Sequence, residues 1–513
     1  MRSSSHDLLP LNLSTLIIAA LASAAFINAA MYISYAGIPF ITSDGWYFVD
    51  TFLQKYYHGG VTLHDLYMKR STDDHAQPIH KLLLIWNADH FDLDFVIESY
   101  VGLAIAGVSW LLMLYSARQD NVARSSAVWW ILPMVAAAFS LVSLSGGMVF
   151  SWSLVTLSYL GPLSMVLMAF SAWHAVERHR WLPLLILAPL IVFTMDGTAL
   201  ICAISVSCAL LLREAKMRGK TWRATFAALS LVAATVIAYR LVSHFYLHPQ
   251  LADAPAAPPA IATLLGFGWS RIQQMVLAIA SLSIAEPAAL AMYLHDRSVQ
   301  AHRLIGLLVI MGHAWFWWRA SRDQWNRTQF IAVTLMLFCY GAAAGIVLGR
   351  VPIFGPEYVT QQRYLLMYQL GTVALAMMAA GSNWHDWRLP QRAVAAVALA
   401  GVILIQLPLS LSTWREAPFV QAYGNKLGRQ IILLGENPGV RLAGCAPMLV
   451  ICQASRDEQI RSIELLRGRR LNAFSRSMLR RHSMESLQQN IGPAEVISAT
   501  TANPSGAPDT PRR

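Results

Sequence analysis

The sequence predicts an all-α membrane protein with about eleven transmembrane helices, and three observations lead to this fold class. Of the 513 residues, 56% are hydrophobic and only 13% are charged, and the mean hydropathy is +0.45. A soluble fold would have to bury more apolar surface than an ordinary core holds, whereas lipid accepts that surface directly. Apolar runs of about 18 to 25 residues recur along the chain, each long enough to cross a hydrocarbon layer of roughly 30 Å as a helix.

The first apolar run, residues 11–36, is predicted to be the first span. It is too long, and the loop after it is too polar, for a cleaved signal peptide. The other predicted spans cover residues 95–116, 126–144, 153–173, 181–195, 198–212, 224–246, 300–318, 329–349, 364–381 and 393–413. Residues 261–297 are also apolar, but a crossing there would move the basic loop 319–327 to the outer face. We therefore predict that 261–297 forms outer-face helices that lie in the interface or re-enter the bilayer.

The distribution of basic residues predicts the orientation of the chain, because arginines and lysines in short loops stay on the cytoplasmic side. Basic residues fill alternate loops, namely those with Arg118 and Arg124, Arg178 and Arg180, Arg213 to Arg223, Arg319 to Arg327, and Arg388 to Arg392. This predicts a multi-pass protein of the inner (cytoplasmic) membrane with a cytoplasmic N-terminus and the loop 37–94 outside. The net charge of +11 is then mainly a topology signal and does not indicate nucleic-acid binding.

The C-terminal part is predicted to leave the membrane after the last span. Residues 1–413 form the predicted transmembrane domain and 414–474 a small extramembrane segment, which an odd number of spans places outside. Residues 475–513 end in "SATTANPSGAPDTPRR" and have the composition of a disordered tail. In an oxidising compartment Cys445 and Cys452 are predicted to pair.

The first outer loop holds an unusual concentration of polar side chains. Between Ile41 and Asp94 there are eight aspartates, no glutamate and five of the fifteen histidines. The stretch "SDGWYFVDTFLQKYYHGG" reads as a helix that Ser43 or Asp44 caps and that Gly59 and Gly60 end. Its apolar residues recur at helical spacing, so we expect an amphipathic helix lying on the outer membrane surface.

Two interpretations of this loop stay open at the level of the residues. Asp44 is either an ordinary helix cap or an acid that lines a cavity at the outer interface. The second polar group, in "DDHAQPIHK", is either a solvated turn before a proline-broken helix or another wall of that cavity. Its members are Asp73, Asp74, His75, Gln77, His80 and Lys81. The concentration of acids and histidines favours the cavity.

Two further sites are predicted to face the same cavity. Arg363 and Tyr364, in "YVTQQRYLLMYQL", lie at the outer end of a late span and are interpreted either as an interfacial anchor or as a phosphate-binding pair. Asp196, in "FTMDGTAL", lies at the tip of a hairpin between two short spans. Turn chemistry is the favoured interpretation for this aspartate and cavity lining the second.

The layout of residues 11 to 380 resembles the GT-C type membrane glycosyltransferases, which use sugars carried on polyprenyl phosphate. "TSDGWYFVD" occupies the position of that family's acidic motif, and Asp44 matches its catalytic base. "DHAQPIHK" is similar to the short polar segment with a proline that such proteins carry late in the same loop. The pair Arg363 and Tyr364 is similar to the pair that they place near the lipid phosphate. Many relatives have two adjacent acids at the first motif, whereas here Gly45 follows Asp44.

The resemblance implies transfer of a sugar from a polyprenyl-phosphate donor to a lipid-linked, glycan or protein acceptor on the outer face. Asp44 is then the base, and Arg363 holds the departing phosphate with help from Lys81 or Arg271. The group around Asp73 would orient sugar hydroxyls or hold Mg²⁺, Mn²⁺ or Ca²⁺, although no spacing requires a metal. A polysaccharide polymerase or ligase and a transporter or flippase of lipid-linked sugars remain alternatives. Acids outside the spans, with no internal repeat, favour the enzyme.

Overall fold

The computed structural model describes residues 13–68, 78–121, 128–247, 260–438, 440, 442 and 444–489, and these residues form helices with no strand among them. The helices of eight or more residues in this part of the chain are α1 (Leu13–Ala36), α2 (Pro78–Phe91), α3 (Phe95–Asn121), α4 (Val128–Leu141), α5 (Leu160–Arg178), α6 (Leu182–Met195), α7 (Gly197–Met217), α8 (Trp222–Val242), α9 (Trp269–Leu282), α10 (Pro287–Leu294), α11 (Ser298–Arg322), α12 (Arg327–Gly349), α13 (Leu365–Gly381), α14 (Leu389–Glu436) and α15 (Arg456–Arg469). The all-α prediction is confirmed.

Each of the eleven predicted spans falls on a helix, but not every helix is long enough to cross a membrane. Within the described residues, eight helices have the length and apolar character of a span, and one bent pair brings the number to nine. The eight involve α1, α3, α5, α7, α8, α12, α13 and α14. The spans predicted at 126–144 and 181–195 correspond to α4 and α6, which have only 14 residues each, against the roughly 20 that a crossing needs. A multi-pass membrane protein is therefore supported, and the count of eleven stays a prediction.

The segment predicted to lie in or re-enter the interface contains the bent pair. Helix α9 and the helical stretch from Pro287 to Arg322 meet at an angle of 79°. The break covers Ser283 to Glu286, and Pro287 starts α10 at a helix position where its missing N–H costs nothing. Both a re-entrant segment and a broken span have this geometry.

The chain forms two compact units, of which the first contains most of the helices. Unit 1 comprises Met1–Gly37, Thr62–Leu83 and Val96–Val420. Its centre is α13, whose span is 83% buried and packs against α12, α4 and α11. Small residues let neighbouring helices approach closely, as at Gly371, whose backbone lies beside Cys339 and His313. The exposed leucines and isoleucines of α1, α8, α11 and α14 form the surface that lipid would cover.

The loops predicted to be cytoplasmic meet at one end of unit 1. At the start of α12, Thr328 donates from its backbone N–H to Asp120 at the end of α3, at 2.8 Å. Lys216 near the end of α7 donates to the carbonyl of Ala320 near the end of α11, at 2.6 Å. The alternation of the predicted spans requires these helix ends to share a face, and they do. Which side of a membrane this end faces stays a prediction.

Unit 2 combines parts of the first loop with the C-terminal part of the chain. It comprises Ile38–Val61, Leu84–Phe95 and Gln421–Arg513. Asn472 joins the two parts, because its Nδ2 donates to the carbonyls of Pro39 at 3.0 Å and Leu93 at 2.7 Å. A disulfide links Cys445 and Cys452, as predicted. The first loop and the tail therefore lie on the same side of the protein, as the predicted odd number of spans requires.

The structure divides the chain differently from the predicted domain boundaries. The boundary predicted after residue 413 falls inside α14, which continues to Glu436 even though Pro418 lies within it. Residues 414–420 stay with unit 1, and the folded part of the tail extends beyond 474. Residues 475–489, predicted to be disordered, include the helix Arg476–Arg481, whose Met478 and Leu479 are buried. The remaining tail lies outside the described residues.

The helix predicted in the first loop is present, but its apolar face has a different partner. It runs through Gly45–Tyr47, a π-helical turn Phe48–Leu53 and Gln54–His58, and it ends at Gly59. Trp46 and Phe52 are 2% and 3% exposed, so they are buried in protein, whereas we predicted that they face the membrane surface. The π-helical turn packs against α15 of unit 2. Local periodicity predicted the apolar face, but the partner comes from a distant part of the chain.

Candidate functional site

Asp44 belongs to unit 2 and lies at the start of the first-loop helix. Its side chain is exposed and makes no capping hydrogen bond to Gly45–Tyr47. The preceding residue is held firmly, because the Ser43 N–H donates to the carbonyl of Met448 at 2.7 Å and Ser43 has a φ of 46°. A left-handed backbone at a non-glycine residue is strained and persists only where its surroundings hold it. The backbone beside Asp44 is thus held in place, and its carboxylate is exposed to solvent.

The second polar group of the first loop is only partly described. Asp73, Asp74, His75 and Gln77 lie outside the described residues, and their predicted roles, including the metal, stay predictions. Among the described residues no group of three or more His, Cys, Asp or Glu side chains could hold a metal ion.

Lys81 and His80 lie in the first turn of α2, in unit 1. Lys81 is 2% exposed, and its Nζ donates to the carbonyls of Asp65, Leu66 and Met68 at 2.9, 3.0 and 2.7 Å. These carbonyls end the short helix Leu63–Tyr67, where a cation is favourable. Lys81 therefore has a structural role, and its help in phosphate binding stays a prediction.

Asp196 is buried, whereas turn chemistry at a hairpin tip predicted an exposed carboxylate. It is 4% exposed and has a φ of 46° and a ψ of −116° between α6 and α7. The hydroxyl of Tyr239 donates to its Oδ1 at 2.6 Å, which compensates part of the cost of burial. Tyr67 lies close by, and burial together with the charge of Asp196 raises the pKa of its phenol. Asp196 is thus a buried, hydrogen-bonded carboxylate at the turn between α6 and α7, and its place in a cavity stays a prediction.

Arg363 and Tyr364 lie in the turn Gln362–Tyr364 directly before α13, as predicted. The Arg363 guanidinium donates to the hydroxyl of Tyr358 and lies over the rings of Tyr358 and Tyr364, at 5.3 and 5.1 Å from their centroids. Its Nε is buried and has no hydrogen-bond partner among the described residues. The ring of Phe354 stacks on Tyr358 at 4.6 Å. Arg363 is therefore a half-buried cation held between aromatic rings.

Sequence reasoning missed the neighbours of this arginine. Gln362 donates to Glu286 at 2.7 Å, and Glu286 lies at the break between α9 and α10. The other helper proposed for the phosphate, Arg271, is on α9 and pairs with Glu357 at 3.3 Å. One signal could have identified Glu286, namely an isolated acid before a proline at the end of the apolar run "MVLAIASLSIAEP". Unit 1 therefore combines a carboxylate, a guanidinium Nε–H that no described residue accepts, and a helix break.

The comparisons with known proteins give no relative. No protein-family model matches the chain, and no curated protein and no solved structure matches it.

Proposed function

We propose that this protein is a membrane glycosyltransferase that moves a sugar from a polyprenyl-phosphate carrier to a lipid-linked, glycan or protein acceptor. The observation that carries the proposal is Arg363, a fixed and half-buried guanidinium at the end of a membrane-spanning helix. Its Nε is unused by the described residues, and its aromatic neighbours hold it in place. A guanidinium stays charged and can bind two phosphate oxygens at once, which suits the headgroup of a lipid phosphate at the membrane boundary.

The reaction needs one base and one cation. The acceptor hydroxyl attacks the anomeric carbon while its proton passes to Asp44, whose carboxylate is exposed to solvent. The bond between the anomeric carbon and the phosphate oxygen breaks, and the polyprenyl phosphate leaves with its charge balanced by Arg363. The displacement inverts the anomeric configuration. Asp196 and the group from Asp73 to Lys81 line the sugar site in this proposal, and no step requires a metal.

We further infer that the protein lies in the inner (cytoplasmic) membrane with its N-terminus in the cytoplasm and unit 2 outside. The disulfide of unit 2 supports this orientation, since disulfides persist in oxidising compartments. The basic loops meet at one end of unit 1, as cytoplasmic loops should.

A transporter or flippase of lipid-linked sugars is the second candidate, and the break at Glu286 favours it. Discontinuous helices with an ionisable residue at the break form binding sites in many transporters. A polymerase or ligase shares the chemistry proposed above and differs only in the length of the transferred glycan.

The deciding experiment uses the purified full-length protein in proteoliposomes that contain a polyprenyl-phosphate sugar with a radiolabelled sugar. We expect the label to move to an acceptor fraction while free polyprenyl phosphate appears in equal amount. Movement of the intact labelled lipid between leaflets, with its sugar–phosphate bond unbroken, would support the flippase instead. The lengths of the labelled products separate single-sugar transfer from polymerisation.

A further inference from the structure

A cavity of about 420 Å³ opens on unit 2, between the end of the first-loop helix and α15. This volume falls in the range of roughly 300–1,000 Å³ that is common for small-molecule sites. The side chains that line it are Gln54, His58, Arg461, Glu464, Leu465 and Arg469, with Gly468 between them. The α15 members share one helix face, because positions 461, 464, 465, 468 and 469 follow one another at intervals of three, one, three and one residues.

The two arginines of the cavity are held in place by the first loop. The Arg461 Nη2 lies 3.2 Å from an oxygen of Asp50, which pairs with it and raises its pKa. Arg469 donates from Nη2 to the carbonyl of Tyr57 at 3.1 Å, and its guanidinium lies over the Tyr57 ring at 4.7 Å. Both guanidinium groups keep further N–H donors beyond these contacts, since each carries five. Side chains already ordered in this way lose little entropy when a ligand binds.

The polar groups of the cavity are balanced in charge and mixed in type. The lining carries two guanidinium groups and the carboxylate of Glu464, and Asp50, outside the lining, pairs with Arg461, so a bare anion gains little net attraction there. Gln54 and His58 add an amide and a ring nitrogen; the His58 Nδ1 bonds the carbonyl of Gln54 at 2.9 Å, which leaves Nε2 for other partners. Sugar hydroxyls donate and accept at the same time, so a set of fixed donors beside fixed acceptors suits them.

We propose that this cavity binds an uncharged saccharide. The identification of that saccharide as part of the acceptor glycan rests on the proposed function. The first loop carries Asp44 at the start of the helix whose end forms one wall of the cavity. A saccharide held here would keep an acceptor chain on the unit that carries the base.

Gly468 offers a direct test, because a Cβ atom built there meets no atom within 4 Å. Gly468→Phe should fill the cavity without a clash, while Gly468→Ala leaves it open and serves as the matched control. Thermal unfolding of both variants checks that unit 2 stays folded. Binding is measured by saturation-transfer NMR on the full-length protein in detergent. The neutral probes are maltotetraose, mannotetraose and galactotetraose, and the anionic probes are tetragalacturonate and inorganic phosphate.

We expect at least one neutral oligosaccharide to bind, with its affinity lowered tenfold or more by Gly468→Phe and unchanged by Gly468→Ala. The inference is overturned if no neutral probe binds or if Gly468→Phe does not lower the affinity for the neutral probes. It is also overturned if Gly468→Phe lowers the affinity for the anionic probes alone. Binding is read without turnover, so this result is independent of the transfer assay. Saccharide binding without any sugar transfer would contradict the proposed glycosyltransferase activity and would still support a saccharide site in this cavity.

Discussion

Asn472 shows how one side chain can hold two distant segments together. It is fully buried, adopts a φ of 52°, and bonds Pro39 and Leu93 through Nδ2 and Ile41 through Oδ1. Asparagine tolerates the left-handed region better than most residues, and its amide supplies the donors that two buried carbonyls need.

We expect Asn472→Ala to lower the free energy of unfolding of unit 2 by about 2–4 kcal/mol, because two buried carbonyls lose their donors. Asn472→Gly is the matched variant: it also loses the amide but removes the backbone strain, so it should be less destabilised than the alanine variant. Thermal unfolding of the two variants, measured in parallel with the wild-type protein, reports the change. A loss below 0.5 kcal/mol for Asn472→Ala would show that water or other groups replace the amide.

The proposed base is tested by Asp44→Asn, which keeps the shape of the side chain but cannot take a proton. Because asparagine matches aspartate in size and caps helices about as well, stability should change little while sugar transfer falls by about 10²-fold or more. Asp457→Asn, at an exposed carboxylate in the first turn of α15, is the control and should transfer at the wild-type rate. Wild-type activity of Asp44→Asn with the true substrate would falsify this mechanism.

The proposed phosphate site is tested by Arg363→Lys. Lysine keeps the charge but loses the planar donor set and the bond to Tyr358, so the KM for the polyprenyl-phosphate sugar should rise about tenfold or more. Arg363→Gln removes the charge as well and should raise it further. If Arg363 is only an interfacial anchor, both variants should lose thermal stability with no change in KM.

At the scale of elements, the last part of α14 is built to receive aromatic rings. A Cβ at Gly428 would lie 2.3 Å from the ring of Phe40, and a Cβ at Gly435 would lie 2.3 Å from the ring of Phe474. The two glycines are seven residues apart and so share one face of the helix. One ring comes from the first loop and one from the tail, which makes α14 the element on which both parts of unit 2 pack.

Gly428→Ala should therefore destabilise unit 2 by about 1–3 kcal/mol, because the fully enclosed Phe40 ring has to move. Gly468→Ala on α15 is the opposite case: with open space around it, alanine should be neutral or stabilising by about 0.5–1 kcal/mol through helix propensity. Chemical denaturation of the two variants in parallel measures both. Equal effects at the two positions would mean that the ring does not rest on Gly428.

The elements also show what the sequence could predict. Apolar length predicted a helix at every proposed span, and spacing with Gly59 and Gly60 predicted the helix 45–58 and its apolar face. Both rest on local patterns of residues within a few turns. The continuation of α14 to Glu436 was missed because "WREAPFVQAYGNKLGRQ" is polar and contains Pro418. The helix there is sustained by packing, within unit 1 up to Val420 and within unit 2 from Gln421.

The residues of the candidate site also differ in whether a local sequence pattern could predict them. Arg363 and Tyr364 could be located from sequence, since a basic residue next to an aromatic one at the end of a span is a local pattern. The burial of Asp196 could not, because it depends on Tyr239, 43 residues further along the chain. Glu286 was missed for the same reason: its partner Gln362 is 76 residues away. Local chemistry predicts candidates, and long-range contacts decide their environment.

At the scale of the whole molecule, unit 2 constrains the number of crossings. Residues 38–61 and 421–489 belong to one compact unit, so if unit 2 lies outside, as we propose, the chain between them crosses the membrane an even number of times. After α1, seven helices are long enough to span, and the bent pair supplies an eighth. In the proposed orientation the bent pair would therefore be one crossing, provided that α4 and α6 either both cross or both do not.

Cysteine labelling tests this arrangement. Gly59→Cys and Arg456→Cys place a thiol on each part of unit 2, and both should react with an impermeant reagent in cells whose outer envelope has been opened. Lys220→Cys, in the exposed turn between α7 and α8, should react only after the inner membrane is lysed. Wild-type protein gives the background of the native cysteines. If Gly59→Cys and Arg456→Cys react under different conditions, the first loop and the tail lie on different sides of the membrane, and this arrangement is wrong.

Unit 2 is assembled from distant parts of the chain, and this delays its folding during synthesis. Asn472 follows Leu93 by 379 residues, and a ribosome that adds roughly 5–20 residues per second needs about 20–80 s to make that stretch. During this delay the apolar face with Trp46 and Phe52 has emerged but lacks its partner. The segment that carries the proposed base can thus reach its final conformation only after every membrane helix has been synthesised, so a chain that stalls before Asn472 remains without a completed unit 2.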